Sequence, residues 1–417
     1  MVNERDSVAV QRPGWTVVAV VCLATALVTA AASAEEPLFI AHTVNGTGTP
    51  GPLAGIGKGW SIELGGSKPD HVRAGDLISL RRAGASLPSL RNAPQVILPN
   101  GDCIPGKLEE ISQDRLRIEA DLGISQSFRL PISSVAVIWF QAPGGQEDRD
   151  GRRFRRRLLA QRRKEDVVFL KNADTLEGSV IQLDAKALTV QAGTKSVTVD
   201  RARLAAVAFS TELMRAPRTT GPYGRVVLAN GCRLSLVEAQ SDGKLLMTKT
   251  VFGAALQVPI DEIVALDVLQ GRAIYLSSLK PRSYEYTPFL GTDYHSYVAD
   301  GDWKQADLRL AGSYYDRGLG MHSKSTITFD LAGRYRRLEA LVGIDDGADS
   351  RASARIEIRA DGKVRELARD GLLTKERGPR QVRVDLAGAK ELTLVVDWGR
   401  RGFVQGRVNW ADARLIK

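Results

Sequence analysis

The chain has 417 residues, 43% hydrophobic and 25% charged, enough for two or three domains that each close a core. Its net charge of +10 invites a nucleic-acid reading, but residues 149–164 alone hold nine Arg/Lys against one Asp, so the remainder is close to balanced and that class of partner is set aside. The sequence has three cysteines, no CxxC and no Cys/His cluster, so nothing in it supports a structural zinc site.

At the N-terminus, Arg12 precedes an apolar run over residues 15–32, and Ala32-Ser33-Ala34 has the small-x-small form of a cleavage site. Residues 1–34 therefore read as a signal peptide, which predicts a secreted, periplasmic or cell-envelope protein. An uncleaved single-pass anchor is the alternative, and only then is a membrane a partner. Cys22 follows Val20 and Val21 rather than a small residue, which argues against lipidation. Cys103 and Cys232 each lie beside an Asn-Gly turn in a different repeat, so they read as small buried hydrophobes rather than a disulfide.

Four stretches follow the same script of short alternating strands and turns: 38–82, 95–141, 167–210 and 225–269. Asn45, Asn100 and Asn172 are each followed six positions later by Gly51, Gly106 and Gly178; the last copy departs, with Leu236 at that offset. Asn-Gly suits a tight hairpin because both residues tolerate positive φ. About five strands in some 43 residues fit a small, strongly bent barrel, weakly similar in pattern to SH3-like or Sm-like barrels. A continuous β-meander uses the same local signals and stays open. Between the second and third copies, residues 143–166 form a basic linker of helical composition, with Phe154, Leu158 and Leu159 as its bulky apolar residues. An exposed helix resting on its neighbours is one reading; a docking stripe for anionic glycan, envelope phosphates or an acidic partner is the other.

The last third carries Arg317-Gly318-Leu319-Gly320-Met321-His322-Ser323-Lys324-Ser325, then Gly343-Ile344-Asp345-Asp346-Gly347, then Asn409-Trp410-Ala411-Asp412-Ala413-Arg414-Leu415. In order and spacing this resembles the NPCBM/NEW2 domain, a carbohydrate-binding module of secreted glycan-handling proteins, over residues 274–417. The resemblance implies a jelly-roll β-sandwich. The alternating runs 325–331, 336–343, 354–359 and 390–396, separated by Gly-containing turns, predict an antiparallel sandwich independently. The expected fold class is thus all-β: an array of small barrel-like repeats followed by a jelly-roll sandwich.

Sugar recognition needs flat apolar faces for CH groups and fixed polar groups for hydroxyls. His322 and Ser323 at an element end, with Asp345, Asp346 and Asn409, are the polar candidates, and Trp398 and Trp410 the stacking candidates. Each has a structural alternative: a turn histidine, Asp-Asp-Gly as turn chemistry, tryptophans in the core. Asp345 and Asp346 are also conceivable Ca²⁺ ligands, the one cofactor considered. The segment 398–409 departs from the family by carrying Arg400, Arg401 and Arg407 where acids are usual, which weakens a calcium site there and leans the ligand towards anionic sugars. No Gly-x-Ser-x-Gly, His-Glu-x-x-His or P-loop is present, and no segment has the βα alternation of a hydrolase barrel. The reading is a secreted, non-catalytic glycan binder with a scaffold of repeats. A protein–protein scaffold of the cell envelope without sugar binding is the alternative, and a glycoside hydrolase with an unrecognised site is less favoured.

Overall fold

A computed structural model describes residues 36–66, 69–145, 149–289, 291, 293–365, 370–400, 402 and 405–417. The leader expected at 1–34, and Arg401 in the arginine-bearing loop, lie outside the described residues. Among the described residues no helix is long and apolar enough to cross a membrane.

The second repeat shows how one copy folds. Strands Gln95–Ile97 and Cys103–Ser112 meet in a hairpin where Leu98 N–H donates to Asp102 O and Gly101 N–H to Leu98 O, both at 2.9 Å. Asn100 Oδ1 accepts from Asp102 N–H at 3.1 Å, and only the following Gly101 takes positive φ. The third and fourth copies repeat this, with Asn230 accepting from Cys232 N–H and Ala173 or Gly231 at the left-handed position. The asparagine thus caps the turn, and the residue after it absorbs the φ cost.

The glycine six residues on has a different cause. A Cβ on Gly51, Gly106 or Gly178 would collide with the backbone carbonyl of Gly65, Glu119 or Gln191. These glycines let the long second strand fold closely over the third. The last strand of each copy returns to pair with its first, in copies two to four after a 3-10 turn, as in Val137↔Ile97 and Val167↔Ala208, which closes the barrel.

The closing strands also pair with one another between copies. Val137 faces Ala208 across copies two and three, and Leu266 faces Leu80 across copies four and one. Twenty-one strands therefore form one network over a shared core. Covered on both faces, Val137–Trp139, Leu204–Ala208 and Ile263–Leu269 are buried at every position. That is why the first two are apolar throughout, against the alternation expected of each copy, and why the third departs only at Asp267, which is buried with Arg81 as its partner.

The basic segment forms helix α1, Arg149–Ala160. Phe154 packs on Phe169 (5.1 Å between centroids) and Trp139 (6.1 Å), and Leu158 is buried with them. The helix is not simply solvated: Arg155 and, just beyond it, Arg163 are buried. Cys103 and Cys232 are free and buried, and burial pushes both thiols up.

From Ala273 onward two six-stranded antiparallel sheets pack face to face. One runs Val298–Ala299, Gly318–His322, Arg407–Ile416, Arg337–Ile344, Arg380–Asp385, with Ala273–Tyr275 on the end of Arg407–Ile416. The other runs Ser283–Tyr286, Ser325–Asp330, Glu391–Trp398, Ser353–Ala360, Lys363–Val364, with Leu372–Thr374 beside Ser353–Ala360. Their inner faces form a second core. Val44 and Ile78 of the first barrel pack with Ala273 and Ile416 at the seam, where Arg81 pairs with Asp267 at 2.6 Å.

Candidate functional site

The motif residues are brought to one end of the sandwich, but they do different things there. Asp345 is buried; its Oδ1 accepts from Gly347 N–H at 2.9 Å and its Oδ2 from Asn409 Nδ2 at 2.8 Å. Asn409 also donates to Arg309 O at 3.1 Å. Asp346 caps the hairpin of strands Leu308–Leu310 and Ser313–Tyr315, taking Ala311 and Gly312 N–H at 2.8 Å each. Both carboxylates are thereby occupied by N–H donors, which repel a cation from the same lone pairs. The donor set does not fit calcium, and among the described residues no group of three His/Cys/Asp/Glu is placed for a metal.

Two further candidates are interior. Trp410 is 0% exposed in the sandwich core and has no face to offer a sugar. Ser323 is buried against Gly406, whose carbonyl accepts its N–H at 2.7 Å. Both correct the expectation of a ligand contact. Burial decides both: Trp410 sits in a stretch of Arg407–Ile416 that is buried from Val408 to Ala411, and Ser323 in the buried turn between Gly318–His322 and Ser325–Asp330.

His322 stands at the centre of a half-buried ring cluster. Its imidazole lies 5.0 Å from His295, 5.3 Å from Trp303 and 6.2 Å from Tyr286, centroid to centroid. Tyr286 meets Tyr294 (5.9 Å), and Tyr284 meets Tyr297 (5.3 Å). Tyr294 is 60% exposed, so the cluster opens to solvent. The Arg407 guanidinium stacks over Trp303 at 4.4 Å and the Lys304 ammonium lies 5.0 Å from the same ring. Beside it, Trp398 is half-buried, edge-on to Phe289 at 5.5 Å, with Lys324 Nζ 4.9 Å from its ring centroid.

His322 Nδ1 is 2.6 Å from Ser323 O. A carbonyl only accepts, so Nδ1 carries the proton and Nε2 is left as an acceptor. Burial pushes the ring's pKa below its ordinary value, which keeps this neutral tautomer at pH 7. The motif glycines build the cluster: a Cβ on Gly320 would strike Gly301 O and the backbone of Asp302 and Trp303. Gly320 therefore lets that loop lie against the strand and bring Trp303 to His322.

Tyr286, Tyr294, His295 and Trp303 were not among the residues singled out from sequence. A signal was present: six of residues 283–303 are aromatic, against 6% for the chain.

Sandwich, ring cluster and cationic rim together define a β-sandwich module with an open aromatic face at one end of its sheets. Residues 272–416 match the NPCBM/NEW2 domain, so the C-terminal sandwich is a module of that family. A stretch of 175 residues is 25% identical to a "putative endo-alpha-N-acetylgalactosaminidase" of Renibacterium salmoninarum, covering 39% of this chain and 12% of that protein. The CBM51 of Clostridium perfringens GH95, solved with methyl-galactose, is 28% identical over 34% of this chain and 99% of its own, with a TM-score of 0.30. The CBM51-2 and INT domains of C. perfringens ZmpB, solved with GlcNAc, are 21% identical over 42% of this chain and 36% of theirs, with a TM-score of 0.31.

Proposed function

We propose that the C-terminal module binds a carbohydrate at the His322–Trp303–Tyr286 cluster, and that the barrel array carries it as a scaffold. The observation that bears the reading is an acceptor nitrogen held in one tautomer beside half-buried aromatic rings. Rings cover the apolar CH face of a sugar, while His322 Nε2 accepts from a hydroxyl. Lys304, Lys324 and Arg407 at the rim favour an anionic sugar over a neutral one.

We infer binding rather than cleavage. Glycoside hydrolysis needs two carboxyl groups free to move protons, and Asp345 and Asp346 are held by N–H donors instead. The glycosidase name of the relative belongs to a far longer protein, of which this chain spans 12%. A protein–protein role for the barrels is the second reading. A cavity of about 1230 Å³, with Trp60, exposed Val237 and Met247 on its wall, favours it.

Calorimetry and a glycan array on the whole chain test the first reading. Trp303→Ala and His322→Ala should each weaken binding by about 1–3 kcal/mol, the range for loss of a polar or stacking partner, with little change in melting temperature. No binding by the wild type to neutral or anionic glycans would leave only the scaffold. Export is part of the proposal and rests on residues 12–34: native protein should begin at Glu35 on N-terminal sequencing, and an intact Met1 on a membrane-bound product would establish the anchor instead.

A further inference from the structure

The basic run is not used up by solvent. With Phe154 and Leu158 packed on the barrels, helix α1 turns Arg152, Arg155 and Arg156 towards a cavity of about 550 Å³ at the seam with the sandwich. Arg225 and Arg233 of the fourth barrel and Arg317 of the sandwich complete its walls. Three carboxylates share this space, and each is already engaged. Asp316 accepts two hydrogen bonds from Arg233, at 3.1 and 3.0 Å, Asp300 pairs with Arg317 at 2.8 Å, and Asp307 with Arg152 at 3.0 Å.

The other three arginines have less. Arg225 donates to Gly101 O at 2.5 Å and keeps its Nε 3.9 Å from buried Asp102, whose oxygens are also held by Ser235. Arg156 has one long bond to Ala299 O, at 3.4 Å. Arg155 is 4% exposed, and among the described residues no carbonyl or carboxylate is hydrogen-bonded to it; its neighbour is the Trp139 ring at 5.8 Å. Desolvation lowers its pKa from the ordinary guanidinium value. Asp307 acts on Arg155 only at a distance and is already held by Arg152, so the buried cation is incompletely compensated, and an anion arriving in the cavity offsets that cost.

We propose that this seam cavity is an oxyanion site that takes the sulfate or phosphate group of a small molecule. Guanidinium groups from three separate parts of the chain line one space, which matches a tetrahedral group with three acceptor oxygens better than a flat carboxylate. Tyr297 and Tyr315 also line it, and the volume is that of a small-molecule site. The inference does not rest on the sugar reading of the His322 cluster.

The test uses the whole chain at constant ionic strength, with sodium chloride as the reference. Calorimetry and thermal shift are read for inorganic sulfate, inorganic phosphate, galactose 6-sulfate, galactose 6-phosphate and neutral galactose. The charged probes should bind and raise the melting temperature, and Trp303→Ala should leave that response intact. Arg155→Met should weaken it at least tenfold, Arg156→Gln severalfold, and Arg157→Gln, on the exposed side of the helix, should not alter it. Sugar esters binding more tightly than inorganic ions would identify an ester group as the ligand, and parity would identify the free ion. The proposal is overturned if no probe acts beyond chloride, or if Arg156→Gln, which alters only a half-buried side chain, leaves the response unchanged. It is equally overturned if galactose acts as strongly as its esters and Trp303→Ala abolishes both responses.

Discussion

Two tryptophans of the same module show how position decides a residue's work. Trp303 is half-buried under Arg407 at the open end of the sandwich, whereas Trp410 fills the space between the sheets. Trp410→Ala should therefore cost about 3–5 kcal/mol of stability, as large core truncations do, and is read by chemical denaturation. Trp303→Ala should leave the denaturation midpoint nearly in place and act on binding. If Trp410→Ala instead left stability intact and removed binding, the core assignment would fail. Asp345 and Asn409 belong with Trp410 in this respect, because their hydrogen bonds run to each other and to the backbone.

For the strand elements, the glycines matter through what lies opposite them. Gly320 is on Gly318–His322, and its missing Cβ makes room for the loop that carries Trp303. Gly320→Ala should push that loop outward, costing about 1–3 kcal/mol in overpacking and weakening glycan binding with it. The check is a paired measurement of melting temperature and affinity. Stability lost with affinity unchanged would mean that the loop does not position Trp303. In the barrels, Gly51, Gly106 and Gly178 play the same part against a neighbouring strand. The fourth copy puts buried Leu236 there and bends its strand with a register shift beginning at that residue.

Across the whole molecule, barrels and sandwich share a charged, buried seam, and its pH response has a definite sign. His42 of the first barrel is pushed down to about 4 by burial, then by Arg414 and Arg81, and Thr47 Oγ1 sits 3.1 Å from its Nδ1. The unfolded chain binds this proton near pH 6.5 and the folded chain only near 4. Stability from a neutral His42 is therefore full above about pH 6.5 and is lost as pH falls towards 4, by at most about 3 kcal/mol. Urea denaturation between pH 7.5 and 4 should show this slope, and His42→Gln should flatten it. An unchanged slope in that variant would place the acid sensitivity elsewhere. Asp316, held at about 2 beside Arg233 despite its burial, adds a loss only at lower pH, between about 4 and 2.

Local chemistry was legible in the chain. Period-two alternation, Asn-centred turns and the spaced glycines determine strands, hairpins and bends, because those depend on neighbours in sequence. The motifs around His322, Asp345 and Trp410 pointed to one end of the sandwich for the same reason. What only the tertiary structure decided is which side chains face solvent, which face the core and which meet across elements. His295, Trp303 and Tyr286 come from two loops and a strand, and they join His322 only when Gly320 lets a loop close on it. The six seam arginines come from three parts of the chain, and whether a guanidinium is paired depends on distances that no local pattern carries. The same holds in the barrels: a strand buried on both faces implies a partner, but only folding shows that the partner is the closing strand of another copy.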